Sequence, residues 1–222
     1  MSSSDFKQQL FSQFARVGKA LGHGNRLELL EFLAQGERSV DSLASASTMS
    51  IANTSQHLQH LRQAGLVAAR KQGQRVFYSL AGDEVMSLIG ALRIVGEKRL
   101  AEVDRLVTTY LSIKDELEPV PADELLERAR SGLVTVLDVR PQQEYAAGHL
   151  PGAINVPLAE LDKDLDRLND GREVVAYCRG PYCILAYEAV AKLRTHGLPA
   201  RRLEFGFPEW KLTGLPVERP SS

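Results

Sequence analysis

The sequence predicts two domains of different class: a mainly α-helical unit carrying a β-hairpin, then an α/β unit built on a parallel sheet. Three observations carry this reading. At 222 residues the chain is longer than one ordinary domain. The first half repeats helical apolar spacing interrupted by one basic hairpin, whereas the second alternates short β-branched runs with helical stretches. Between them, Asp115-Glu116-Leu117-Glu118-Pro119-Val120-Pro121 is charged and proline-punctuated, as a short linker is. The expected boundaries are 1–114, a linker at 115–120, and 121–222.

Composition excludes several classes. No apolar run approaches the ~18 residues of a membrane span, and Met1-Ser2-Ser3-Ser4-Asp5 lacks the basic and apolar parts of a secretory signal. Two cysteines five apart are no extracellular disulfide framework, so the cytoplasm is the expected compartment. The halves differ in charge: 14 basic against 12 acidic residues in 1–117, and 13 against 16 in 118–222. Within 38–80, Arg38, Arg62, Arg70, Lys71 and Arg75 face Asp41 alone, a local basic patch of the kind that meets nucleic acid.

Taken in order, residues 5–21 read as a helix with Leu10, Phe14, Val17 and Leu21 on one stripe, ended at Gly22-His23-Gly24. Arg26–Ala34 reads as a buried helix because Leu27, Leu29, Leu30, Phe32 and Leu33 surround it. Ser39 can cap a third helix, Val40–Ala46, and Ser50 a fourth, Ile51–Ala64, stopped by Gly65. The fourth has an apolar stripe of Ile51, Leu58 and Leu61. Its remaining face shows Asn53, Thr54, Gln56, His57, Gln59 and His60, amides and imidazoles suited to base edges and phosphates rather than to a plain solvated surface. Leu66–Gln72 and Arg75–Leu80 form a hairpin around Gly73, with Arg70, Lys71 and Arg75 near its tip. That is a basic wing placed to touch flanking phosphates.

Residues 5–113 resemble the winged helix-turn-helix repressors of the ArsR/SmtB family. The match rests on Asn25-Arg26-Leu27-Glu28-Leu29-Leu30, on Asn53-Thr54-Ser55-Gln56-His57-Leu58-Gln59-His60-Leu61-Arg62-Gln63-Ala64-Gly65-Leu66-Val67, and on the wing through Tyr78. The resemblance implies a homodimer on double-stranded operator DNA. Ser50, Asn53, Thr54, Ser55, Gln56 and His57 would be presented to the groove, with His60, Arg62, Arg70, Lys71 and Arg75 beside them. Residues 83–113 would form the dimer helix, with Val85, Leu88, Leu92, Val95, Val103, Leu106 and Tyr110 as its stripe. Metal-sensing members of the family carry Cys on the third helix or Asp/His pairs on the last. Here Ser39-Val40-Asp41-Ser42-Leu43-Ala44 has no cysteine and 83–113 has no histidine, so no metal site is expected, nor any cofactor.

In the second half Pro121 opens a helix, Ala122–Ala129, and Val134–Val139 is a buried strand with Asp138 and Arg140 at its carboxyl end. A short strand at Ala153–Val156 and a helix at Leu158–Leu168 follow. Val174-Val175-Ala176-Tyr177 is a further strand, and the helical spacing of Leu185, Ala189 and Leu193 comes after a Gly-Pro turn; Leu203 to Trp210 closes the sheet's edge. Cys178 therefore stands where a strand's carboxyl end meets a helix amino terminus, whose N–H groups and dipole favour a thiolate.

Leu137-Asp138-Val139-Arg140, then Glu144-Tyr145 with Gly148-His149-Leu150-Pro151-Gly152-Ala153-Ile154-Asn155-Val156-Pro157, then Tyr177-Cys178-Arg179 resemble a rhodanese-homology domain. The resemblance implies that Cys178 is a sulfur-carrying nucleophile in a loop of Arg179, Gly180, Pro181, Tyr182 and Cys183. Asp138 and Arg140 would be structural, with an Arg140–Glu144 ion pair. Phosphatases of this fold need a longer loop with a terminal arginine, absent here, which argues against phosphate-ester hydrolysis. Many sulfurtransferases have arginine where Cys183 stands, which argues against efficient thiosulfate turnover. Cys183 reads equally as a resolving cysteine or as a small apolar residue.

Three functional readings follow. One is a transcriptional regulator, a repressor in this reading, whose second domain senses reactive sulfur, arsenic-type oxyanions or oxidants, sulfane sulfur being sensed or carried through a Cys178 persulfide with thiosulfate, polysulfide or a low-molecular-weight persulfide as donor. A second is a sulfurtransferase that turns over and is fused to an autoregulatory DNA-binding domain. A third is a partner-docking module with an idle cysteine.

Overall fold

A computed structural model describes residues 2–112 and 118–219. By packing, the chain divides into two compact units, 1–89 and 90–222. The division falls inside one helix, so it differs from the sequence boundary at 114.

In the first unit, α1 (Ser3–Leu21) begins two residues earlier than the expected start at residue 5, because Ser2 and Asp5 form a reciprocal capping box. Only its carboxyl end packs: Ala20 and Leu21 are buried, while Leu10 and Phe14 are exposed, contrary to the expected single stripe. α2 (Gly24–Ala34) starts two residues before the expected Arg26, because the His23 side chain caps it by accepting from Asn25 N, whereas α3 (Val40–Ala46) and α4 (Ile51–Gln63) follow the expected spans to within a residue. Ser39 and Ser50 cap the latter two, at 3.2 Å to Ser42 N and to Asn53 N. Leu29, Leu30, Leu43, Leu58 and Leu61 are fully buried and form the centre of the core.

β2 (Val67–Gln72) and β3 (Arg75–Leu80) pair antiparallel, Gln72 opposite Arg75. Gly73 is the first central residue of the two-residue turn and takes φ +61, a conformation that favours glycine. A two-residue strand that sequence patterning missed, β1 (Arg38–Ser39), adds to β3.

The single helix expected over 83–113 is instead divided. α5 (Asp83–Arg99) ends where Leu100 adopts φ −111, ψ 101; α6 (Ala101–Val107) restarts and passes into a π-helical turn (Thr108–Ser112). Apolar spacing does not register a backbone break, and Gly90 and Gly96 weaken the helix before it. Ile113 and the first three linker residues, 115–117, lie outside the described residues. Val120, counted with the linker, is fully buried and bridges Leu203.

The rest of the second unit is an α/β fold around a parallel sheet of order β5-β4-β6-β7. α7 (Ala122–Arg130) leads into β4 (Val134–Asp138), α8 (Gln142–Ala147) and β5 (Ile154–Asn155). The helix expected at Leu158–Leu168 is a 3-10 helix (Leu158–Lys163) followed by a single turn, α9 (Leu165–Leu168). Pro157 starts it, and Leu161 and Leu168 alone need burial, which one long helix face does not provide. β6 (Glu173–Tyr177), α10 (Ile184–Thr195), β7 (Ala200–Arg202) and α11 (Phe207–Leu212) complete it. The sheet edge is thus Ala200–Arg202, and Phe207 to Trp210, expected in an edge segment, is helical because Pro208 can occupy a first helical turn. β4 and β6 are buried almost throughout because helices cover both faces of a parallel sheet; Leu137 pairs with Ala176 between two apolar layers.

Candidate functional site

β6 delivers Cys178 to the carboxyl edge of the sheet at 1% exposure. The chain turns through Arg179-Gly180-Pro181-Tyr182, closed by Cys183 N donating to Gly180 O at 3.1 Å, and Cys183 is the amino-terminal cap residue of α10. Cys178 and Cys183 are joined as a disulfide, with Cα atoms 6.1 Å apart. The loop expected from sequence is therefore assembled as one unit, and the two cysteines are within bridging reach.

Several groups hold it. Arg179 forms a forked ion pair with Glu144 of α8, Nη2 to Oε1 at 2.7 Å and Nε to Oε2 at 3.0 Å, with Glu144 buried. Arg140 is clasped by Asp138 at 2.6 Å, both side chains fully buried, and donates to Gly148 O at 2.8 Å. The expected pair was Arg140 with Glu144; the structure sets Asp138 against Arg140 and uses Glu144 to anchor the loop through Arg179. Spacing along the chain could not distinguish these, because two strands and a helix end converge here. Burial opposes the charge of Arg140, but hydrogen bonding and charge from Asp138 outweigh it and its pKa is raised. The Tyr177 hydroxyl donates to Asp138 Oδ2 and accepts from Leu150 N at 3.1 Å; burial, then the Asp138 charge, pushes this phenol well up.

Two contributors were missed. Phe207 N donates to Cys178 O at 3.0 Å, and a Cβ on Gly206 would collide with the backbone of Arg179 and Gly180. The Gly-Phe-Pro run at 206–208 signals a turn but not its distant partner. The second is Glu97 of α5: burial, then the neighbouring Glu97 carboxylate, pushes the Tyr182 phenol up. No local pattern announces such a pair.

The expected nucleic-acid surface is partly corrected. Thr54 is fully buried, its hydroxyl donating to Ser50 O at 3.0 Å, and His57 is 8% exposed. Neither belongs to an exposed face, whereas Ile51, expected in the apolar stripe, is 55% exposed. The buried side of α4 is therefore turned toward Thr54, His57, Leu58 and Leu61. The His57 ring lies against that of His23, centroids 4.5 Å apart and planes tilted by 51°, and its Nδ1 has no hydrogen-bond partner. Burial, then the positive charges of His23, Arg26 and His60, lowers its pKa. Ser50, Asn53, Gln56, His60, Arg62, Lys71 and Arg75 are exposed and Ser55 is half-buried. Arg70 is exposed too, but is paired with Glu37 at 2.6 Å and lies over Phe77. Among the described residues, no three metal-binding side chains converge.

A helix-turn-helix with a basic wing, joined in one chain to an α/β domain bearing a cysteine loop, defines a DNA-binding regulator with an appended α/β domain. Comparison with known proteins agrees. The model of the bacterial regulatory protein arsR family matches residues 23–69, and that of the rhodanese-like domain matches 121–213. The chain is 46% identical over 215 residues to the HTH-type transcriptional regulator Rv0324 of Mycobacterium tuberculosis, covering 97% of this chain and 94% of that protein. It is 35% identical over 96 residues to the uncharacterized HTH-type transcriptional regulator Rv0081 of the same organism, covering 43% of this chain and 84% of that one. A solved homodimeric winged helix-turn-helix DNA-binding domain from Mycobacterium bovis is 44% identical, covering 45% of this chain and 93% of that one at a TM-score of 0.42. The chain belongs to the ArsR family of transcriptional regulators, in a form with a carboxyl-terminal rhodanese-like domain.

Proposed function

We propose that this regulator is a repressor responding to sulfane sulfur through Cys178 and Cys183. One observation carries the reading: the two cysteines are brought to a Cα separation of 6.1 Å across a loop at a helix amino terminus. An organic persulfide R–S–SH gives its outer sulfur to the Cys178 thiol, forming Cys178–S–SH and releasing R–SH. The Cys183 thiolate then attacks the sulfur bound to the Cys178 side chain. This forms the Cys178–Cys183 disulfide and expels the outer sulfur as sulfide, two thiols being oxidised and one sulfane sulfur reduced. The charge of Arg179 is matched by Glu144, so the loop offers thiosulfate no uncompensated guanidinium. This favours sensing with polysulfide or a persulfide over turnover with a dianion.

In this reading 1–114 binds DNA and dimerises, 115–120 links, and 121–222 senses, in the cytoplasm. The DNA-facing set is Ser50, Asn53, Ser55, Gln56, His60, Arg62, Arg70, Lys71 and Arg75. A homodimer is supported by exposed apolar rows: Phe6, Leu10, Phe11 and Phe14 on α1, and Leu88, Leu92 and Val95 on α5. No helix among the described residues is long and apolar enough to cross a membrane.

The test is binding of the full chain, at fixed salt, to a duplex selected from a random library by the reduced protein, with and without inorganic polysulfide, followed by intact mass. Release of DNA with a loss of two hydrogens or gain of sulfur at Cys178 and Cys183, absent in Cys178→Ser, is the expected result. Release by Cys178→Ser as well would sink the proposal. Sustained sulfur transfer from thiosulfate to cyanide would instead favour the enzyme.

A further inference from the structure

We infer that the first unit carries a seat for a phosphate group, between the carboxyl ends of α1 and α4 and the start of α2. It goes beyond the cysteine chemistry proposed above and does not depend on it. A hollow of about 230 Å³ is lined there by Arg16 and Lys19 of α1, Arg26 of α2, and His60 and Gln63 of α4, with Ala20 beside them. That volume holds a phosphate group and several waters, whose share is about 30 Å³ each. All the lining residues lie within one unit, 1–89. Among the described residues no carboxylate lines the hollow, and none pairs with Arg16, Lys19 or Arg26. Elsewhere in the unit the exposed Arg70 is matched by Glu37.

Helix capping explains part of this arrangement. Arg16 donates to Gln63 O at 3.1 Å and to Gln13 Oε1 at 2.7 Å, and Arg26 donates to Lys19 O at 2.8 Å and to Ala20 O. Three of these acceptors are last-turn carbonyls of α4 and α1, which lack partners within their own helices. Each arginine spends two N–H groups in this way, and a guanidinium has more to give. The side chains of Lys19 and Gln63 spend none among the described residues. The carbonyls thus hold two guanidinium groups in place before a ligand arrives, so binding has little side-chain freedom to lose there. Their charge is felt beyond the hollow: after burial and His23, Arg26 and His60 lower the pKa of the buried His57. Donors arrive from three helices, which suits a tetrahedral dianion better than a flat carboxylate that one guanidinium fork would satisfy. From Asn53 to Gln63 α4 rises about 15 Å, so the seat stands apart from the residues presented to the groove and shares only His60 with them. The phosphate is that of a free phosphorylated small molecule or one of the duplex backbone.

The experiment titrates the isotope-labelled full chain with inorganic phosphate, chloride being adjusted to hold ionic strength constant, and follows backbone amide shifts. Lys19→Gln and Arg16→Gln test the seat; Lys7→Gln removes a cation from α1 outside it. Lys19 is exposed and bonds nothing through its side chain, so its replacement leaves the fold intact. Wild type is expected to show saturable shifts confined to residues 16–26 and 60–64. Lys19→Gln should raise the half-saturating phosphate concentration about five-fold, the upper end for an exposed charge pair, and Lys7→Gln should not. In a second arm, affinity for the selected duplex is measured against salt concentration. A slope shallower by about 0.9 in Lys19→Gln but not in Lys7→Gln assigns the seat to a backbone phosphate. An unchanged slope with the confined shifts assigns it to a free ligand. With the slope unchanged, absent or scattered shifts, or a midpoint that Lys19→Gln leaves where it was or Lys7→Gln moves equally, mean an adventitious ion only and overturn the inference.

Discussion

Asp138 and Arg140 meet at zero exposure beneath the cysteine loop, where a charge without its partner has no water to turn to. Arg140→Ala is therefore expected to destabilise the second unit by about 3–5 kcal/mol, measured as a lowered denaturation midpoint of the full chain. The pair's removal should damage the loop without touching sulfur, which is why it is structural. His57 makes a different prediction. Its depressed pKa means the unfolded chain takes up a proton first, near pH 6.5. Stability attached to His57 is therefore present above that pH and is lost as pH falls toward the folded-state value. Thermal midpoints at pH 7.5 and 5.5 should differ, and His57→Leu should flatten the difference. Both histidine burial and the Arg179–Glu144 pair escaped sequence reading for one reason: a residue's type states what it can bond to, not which distant side chain arrives.

Among the elements, the wing is a short hairpin with Lys71 and Arg75 exposed near a glycine turn, and in the proposed DNA-binding role its cations would neutralise phosphates rather than read bases. Replacing Lys71 and Arg75 by alanine is expected to weaken binding across DNA sequences alike. The slope of log affinity against log salt should become shallower by about 0.9 for each phosphate that the pair neutralises. An unchanged slope would remove the wing from the DNA surface. The caps and turn of these elements were readable because Ser39, Ser50 and Gly73 act on backbone within three residues of themselves. α5 and α6 were not, because an apolar stripe continues across Leu100 while the backbone does not. The segment after Pro157 failed likewise: two buried leucines seven residues apart are compatible with one helix or with a 3-10 helix and a turn.

For the whole molecule, the exposed aromatic row on α1 is larger than scattered surface apolar residues account for. Sedimentation of the wild type is expected at twice the chain mass of 24.5 kDa. Phe11→Glu with Phe14→Glu should give the monomer and lose operator binding, since two half-sites need two recognition helices. A monomeric wild type that still binds DNA would contradict the dimer.

What the sequence by itself determined is the part governed by local rules and by family motif: two domain classes, the capped helices, the basic hairpin, and the cysteine at a strand–helix junction. Tertiary structure alone decided the rest. It buried Thr54 and His57 by rotating α4, gave Arg179 to Glu144 and Asp138 to Arg140, and placed Gly206 against the loop. It also brought Cys183 to Cys178, which five residues of spacing permit but do not require. Periodicity and capping act within one or two turns of chain, whereas a polar partner or a close backbone approach depends on which elements the packed cores bring side by side.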